Sequence, residues 1–406
     1  MKFVVIGNGP AGFAASRRLR ELDGDCEIVV LTAEPYHYYY RPRLPEVVAG
    51  AIGVDQIVMN PPDWYESRRI DVRLSARVAS IDTERKVISL DGGASVEYDR
   101  LLIASGSRPF VPPVDGVDKK GVFTLRTAED ALAIRSWAEG SSKAVVVGGG
   151  LLGLETAKGL SEAGLPVTVL EHSQWLLARQ LDEVAARILE SEIEKLGITV
   201  VKQATSVAVA GEEKTEGVVL DDGRTIEGDL VLFSTGVRAA VDFLGGSGIE
   251  VNRGIVVDCG MRTNVPDVFA AGDVAEFEGR SWGIIPVALA QADVAARWMT
   301  GHEETEYCAI VPSNTLKITG IDVFSAGEFT CEDDGCREIV DADEESGRYR
   351  KVVLRDGKIA GAIVVGSKTG AREIGSLIEK GASVERWGDD IVQESFDYKA
   401  ALATAE

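Results

Sequence analysis

One stretch constrains this chain more than any other: KFVVIGNGPAGFAASRRL, which runs from an apolar strand through a glycine triplet into a helix-compatible segment. Gly7, Gly9 and Gly12 stand in G-x-G-x-x-G spacing. The first glycine of such a turn permits the sharp reversal, the second lets backbone approach a pyrophosphate, and the third lets helix pack closely on strand. The helix start, here Pro10 and Ala11, offers its free N–H groups and positive dipole end to phosphate. A second strand, EIVVL, follows, and Glu34 lies roughly 20 residues past the triplet, where a carboxylate accepts from ribose hydroxyls.

The whole pattern recurs in AVVVGGGLLGLETAKGLSEAG, with Gly148, Gly150 and Gly153, a helix start at Leu151 and Leu152, a strand VTVL and an acid, Glu171. Two complete units imply two bound dinucleotides. At the second, Glu171 can accept from both ribose hydroxyls and would repel a 2′-phosphate, since no arginine follows in HSQW and Arg179 comes only later; NADH is therefore expected over NADPH.

A chain of 406 residues, 45% hydrophobic, has room for two or three domains of roughly 150 residues each. A formal charge of −22 disfavours nucleic acid and anionic membrane as partners, because both would be repelled at long range. Five cysteines form no dense framework, no segment has the roughly 20 apolar residues of a membrane span, and the N-terminus does not read as a secretion signal, so a cytoplasmic protein is expected. Cys331 and Cys336 have a C-x4-C spacing but flank a turn-like acidic stretch far from either glycine motif, which reads as a hairpin with incidental thiols. With no histidine near them, no metal site is expected.

Three shorter signals complete the pattern. LLIASGSRP, containing Ser105 and Gly106, and LVLFSTGVR, containing Gly236, each run from an apolar strand into a small-residue loop, and TNVPDVFAAGDVA ends in Gly272-Asp273. With these the chain resembles the FAD-dependent pyridine nucleotide oxidoreductases. The resemblance implies an α/β architecture with two Rossmann-like dinucleotide-binding domains of the glutathione-reductase type and a small α+β C-terminal domain. It places FAD in residues 1–112 and 239–305, NADH in residues 113–238 and the last domain in residues 306–406. It sets Asp273 on the FAD ribityl chain, adds Val78, Arg126 and Val287 to the cofactor contacts, and puts Glu155 beside the nicotinamide as the catalytic candidate.

The segment AEPYHYYYRPRLPEVVAG then narrows the resemblance. Redox-disulfide members carry two cysteines here, and residues 33–60 contain none. YYRPRLPEVVAG instead resembles the rubredoxin reductase and nitrite reductase flavin-domain branch, as does TLKITGIDVFSAGE; the ferredoxin reductases' lysine near Glu46 is missing. By that match Arg41 reaches the FAD pyrophosphate or the isoalloxazine edge and Pro42 keeps the chain extended, and Lys317 is a candidate flavin or partner contact. Read from the residues alone, at least two of Tyr36, Tyr38, Tyr39 and Tyr40 fill a packed loop, and His37 is a structural or surface histidine. The implied function is hydride transfer from NADH to FAD, then single electrons to a small protein such as rubredoxin. An NADH oxidase or the flavin entry subunit of a larger redox complex is the alternative. Arg41, Arg43, Arg68, Arg69 and Arg73 are the expected basic face for an acidic partner.

Overall fold

A computed structural model describes residues 1–308, 320–331, 335–367 and 369–404, with the backbone alone of 313–318. The first unit contains β1 (Lys2–Ile6), α1 (Pro10–Leu22), β2 (Glu27–Leu31), α2 (Leu44–Val48), β3 (Ile70–Arg73) and β4 (Arg100–Ile103). The second contains β5 (Val122–Thr124), α3 (Ala128–Ala138), β6 (Ala144–Val147), α4 (Leu151–Glu162), β7 (Val167–Leu170), α5 (Glu183–Lys195), β8 (Thr199–Val201) and β9 (Leu230–Phe233). The chain then returns through β10 (Val268–Ala270) and α6 (Ile285–Met299) and ends in β11 (Ser313–Ile318), β12 (Ile321–Gly327), β13 (Cys336–Asp343), β14 (Arg348–Arg355), β15 (Lys358–Val365) and α7 (Ala371–Lys380).

The apolar runs FVVI and AVVV carry no polar face, and each is buried along its length, as strands covered by helices on both sides must be. They form the middles of two five-stranded sheets, ordered β10-β4-β1-β2-β3 and β8-β7-β6-β9-β5. Both are parallel throughout. In each the glycine loop leaves the carboxyl end of a central strand, between strands running to opposite sides, which is where open α/β sheets bind ligands.

The last sheet is antiparallel, ordered β11-β12-β15-β14-β13, with α7 against it. Lys317 lies on β11, and its side chain is outside the described residues. Cys331 and Cys336 are not separate thiols: they are joined as a disulfide, their Cα atoms 5.7 Å apart, a separation that a disulfide readily bridges. Of the residues between them, 332–334 lie outside the described residues.

One hydrophobic core crosses all three units. Tyr39, Leu44, Val47 and Val48 of the tyrosine segment pack with Leu154, Ala157 and Leu160 of α4 and with Tyr349, Ile363 and Val365 of the last sheet. Where α2 meets α4, a Cβ on Gly159 would stand 2.6 Å from the Pro45 carbonyl oxygen.

Candidate functional site

The first loop is shaped by contacts that only glycine permits. Gly7 has φ +102°, its N–H donates to the Leu31 carbonyl at 2.7 Å, and a Cβ there would lie 2.2 Å from the Ala104 carbonyl oxygen. On Gly12 a Cβ would lie 1.9 Å from the Gly7 carbonyl oxygen. At Gly9, by contrast, the space for a Cβ is bounded within 4 Å by a single group, Nη1 of Arg41 at 3.3 Å. A helix start with open space and an arginine over it suits a diphosphate.

Around that loop the structure gathers most of the predicted first-site residues. Glu34 pairs with Arg41 through one carboxylate oxygen and accepts the Tyr39 hydroxyl through the other. Pro42 does not keep the chain extended, because it sits at the start of the 3-10 turn Arg41–Arg43 that leads into α2, where its fixed φ suits the turn. Ser75 and Ala76 donate to the carbonyls of Glu34 and Thr32, which sets Val78 just beyond the same strand ends. Gly272 sits between two helix starts, a Cβ there falling 3.0 Å from Ala11 and 3.7 Å from Ala288, next to the buried Val287. Its N–H donates to Gln291 Oε1 at 2.9 Å.

Asp273 is met from the other domain crossover. Its Oδ2 accepts from Ser107 Oγ at 2.8 Å and from Arg126 Nη2 at 3.0 Å, while Arg126 Nε donates to the Ser107 carbonyl. Ser105 Oγ donates to the Ala240 carbonyl, and the Gly106 carbonyl accepts from the Ala240 N–H. Gly236 is further along this crossover, its carbonyl accepting from Phe110.

The second loop repeats the first. Gly148 has φ +116° and donates to Leu170 at 2.8 Å; a Cβ on Gly153 would lie 2.0 Å from the Gly148 carbonyl oxygen, and Gly150 at the start of α4 has open space. Glu171 accepts from the N–H of Gly149 at 2.8 Å and of Ser173 at 2.6 Å, so its carboxylate is fixed beside the loop. Leu151 and Leu152 begin α4, Leu152 being exposed, and Glu155 lies part-buried one turn on.

Tyr39, Ser107 and Gln291 belong to this first site and were not predicted for it. Gln291 is 1% exposed on α6, and nothing in the sequence distinguishes Tyr39 from the three tyrosines near it. The expected basic face is largely neutralised. Arg41 is taken by Glu34, Arg43 by Glu46 at 2.7 Å and Arg73 by Asp71 at 3.0 Å. Arg68 lies over the Trp64 ring at 4.2 Å and Arg69 donates to the Gly24 carbonyl, leaving these two without a carboxylate among the described residues.

Residues 1–295 match the family described as pyridine nucleotide-disulphide oxidoreductase. The chain belongs to that family. Its two open glycine loops have the geometry that seats a dinucleotide at a helix start. Residues 312–382 match the rubredoxin NAD+ reductase C-terminal domain. The NADH-rubredoxin oxidoreductase of Clostridium acetobutylicum is 32% identical over 95% of this chain and 96% of its own length. A nitrite reductase (NAD(P)H) of Bacillus subtilis is 38% identical over 94% of this chain and 48% of its own length. The assimilatory nitrate reductase electron transfer subunit of the same organism is 36% identical and covered to 49%. The chain thus spans about half the length of these two relatives.

Among solved structures, the NADH:rubredoxin oxidoreductase from Clostridium acetobutylicum superposes with a TM-score of 0.78 at 31% identity, over 94% of this chain and 96% of that one. The covalent putidaredoxin reductase–putidaredoxin complex gives 0.89 at 25% identity, over 100% of this chain and 98% of that one. No helix among the described residues is long and apolar enough to cross a membrane.

Proposed function

We propose that the first loop seats FAD, the second seats NADH, and electrons pass from NADH through the flavin to a small iron–sulfur redox protein, rubredoxin foremost. The observation that carries this is the likeness to an NADH-rubredoxin oxidoreductase along nearly the full length of both chains, together with the rubredoxin reductase type of C-terminal domain. FAD supplies the two-electron to one-electron conversion. The protein's own residues orient and enclose. Gly7, Gly9, Pro10, Ala11 and Gly12 cradle the diphosphate, Glu34 accepts from the ribose, and Arg41 offsets phosphate charge. Asp273, held by Ser107 and Arg126, takes the ribityl hydroxyls. Glu171 fixes the NADH ribose, and Glu155 orients the nicotinamide. No acid–base pair is required. FAD and NADH domains at 1–112 with 239–305 and at 113–238, and a C-terminal domain at 306–406, complete the reading.

A second reading, the electron-entry part of a larger complex, is favoured by the half-length match to nitrite reductase and by a 33% identical relative described as subunit epsilon of an NADH-dependent phenylglyoxylate dehydrogenase. The test is anaerobic: reduce the flavin with NADH, add rubredoxin, and compare its reduction with oxygen consumption in air. Rubredoxin reduction should outpace oxygen use severalfold. Added salt should raise the rate, because net repulsion rather than a local patch governs encounter once three of the five candidate arginines are paired. Rubredoxin reduction no faster than oxygen use would place the complex-subunit reading first.

A further inference from the structure

Tyr39 is the residue of the tyrosine segment that touches the proposed FAD site through its polar end. It is 2% exposed. Its hydroxyl donates to Glu34, and its oxygen accepts the N–H of Ala128 at 3.0 Å. Ala128 is the first residue of α3, whose preceding turn carries Thr127 as cap and Arg126 as the partner of Asp273. That N–H is one of the groups a helix start cannot satisfy within itself. Burial pushes the Tyr39 phenol above its ordinary range, so it keeps its proton, and the orientation is fixed: Ala128 gives, Tyr39 passes on, Glu34 receives. Arg41 completes the arrangement, its guanidinium 4.9 Å from the Tyr39 ring centre and paired with the other Glu34 oxygen.

A carboxylate beside a guanidinium prefers to meet it with both oxygens, in the bidentate fork. Here the Tyr39 hydroxyl takes one oxygen and leaves Arg41 the other. Each oxygen keeps a further lone pair for an incoming hydroxyl. Without the Tyr39 hydroxyl, Glu34 can rotate into a two-point grip on Arg41, which spends its ribose-facing lone pairs and draws the guanidinium from the space over Gly9.

We infer that Tyr39 is a positioning residue for FAD binding, holding Glu34 in the rotamer that receives ribose and limiting its pairing with Arg41 to Nη2, so that Nη1, the group near Gly9, is left for the diphosphate. The inference rests on the assignment of FAD to the first loop with Glu34 on its ribose. The same hydroxyl ties that acid to Ala128, two residues along the backbone from Arg126, so the two ends of the FAD cradle are linked through that hydrogen bond and the intervening turn.

The test uses the full-length apoprotein and FAD itself. Dissociation constants are measured by flavin fluorescence for the parent, Tyr39→Phe, Glu34→Gln and the double variant, with Tyr36→Phe as a control in the same aromatic cluster. Tyr39→Phe should weaken FAD by roughly tenfold or more, the range for a hydrogen bond to a charged group, and Tyr36→Phe should change it less than about twofold. In the Glu34→Gln background the Tyr39 substitution should add little, because its effect runs through the carboxylate. Apoprotein melting is followed in parallel; a lowered melting point with unchanged FAD affinity would reduce Tyr39 to a structural residue and overturn the inference. So would losses that simply add in the double variant. If Glu34→Gln itself leaves FAD binding unchanged, the assignment of the acid to the ribose fails instead, and the two failures are told apart.

Discussion

His37 lies face to face with Tyr65, ring centres 4.7 Å apart, in an aromatic group that includes Tyr38, Trp64 and Phe13 of α1. Burial holds its imidazole below the ordinary value of 6.5. The sign of the consequence follows from proton counting. Between the unfolded value and the lowered folded value, the unfolded chain binds more protons, so stability falls as pH falls through that interval. The urea midpoint of the protein should therefore decline as pH drops below about 6.5, and His37→Phe should remove that component while keeping the ring stack; an unchanged slope in the variant would assign the decline to other groups. Of the two readings the sequence left for His37, structural or surface, the stack on Tyr65 is the structural one.

At the scale of elements, the seam between α2 and α4 permits a test whose sign decides it. Replacing glycine by alanine inside a helix ordinarily stabilises by about 1 kcal/mol. At Gly159 the new methyl would meet the Pro45 carbonyl oxygen at 2.6 Å, and overpacking of this kind costs about 1–3 kcal/mol. Gly159→Ala should lower the melting temperature by a few degrees; a rise would mean the helices can part at no cost. This glycine lies on the helix that follows the second triplet but is not one of its three glycines, and the sequence marks it no more than its neighbours.

That contrast explains what could be read in advance. Gly7, Gly12, Gly148 and Gly153 were legible because a local backbone path forces the residue type, and Glu34 and Glu171 because each follows the next strand within three residues. Asp273 was legible through resemblance. Tyr39, Ser107 and Gln291 were not, since their roles depend on which distant loops meet. The disulfide escaped for a related reason: its two cysteines were judged by distance from the flavin motifs, whereas their pairing depends only on their Cα atoms lying 5.7 Å apart.

Across the whole molecule, the last sheet is fastened to the second unit by buried charge as well as by the shared core. Lys351, 6% exposed, pairs with Asp182 at 3.3 Å and Glu338 at 2.9 Å, and the Tyr349 hydroxyl donates to Asp182 at 2.6 Å. Asp182 also caps the start of α5. Removing one partner of such a pair leaves an uncompensated charge, so Lys351→Met should cost about 3 kcal/mol, and loosened packing of the C-terminal sheet should appear as faster amide exchange on β14; exchange as slow as in the parent would show that the apolar core alone holds it.

The core that joins Tyr39, Leu44 and Val47 to α4, and α4 to Tyr349 and Val365, has a consequence for ancestry and engineering. A nucleotide-binding unit is often pictured as a cassette that can be lifted out and grafted elsewhere. Here the second unit has lent its inner face to both neighbours. A recombinant exchange that moved residues 113–238 alone would strand an apolar surface on each side of the cut, and a donor for this chain must supply the tyrosine segment and the last sheet along with it.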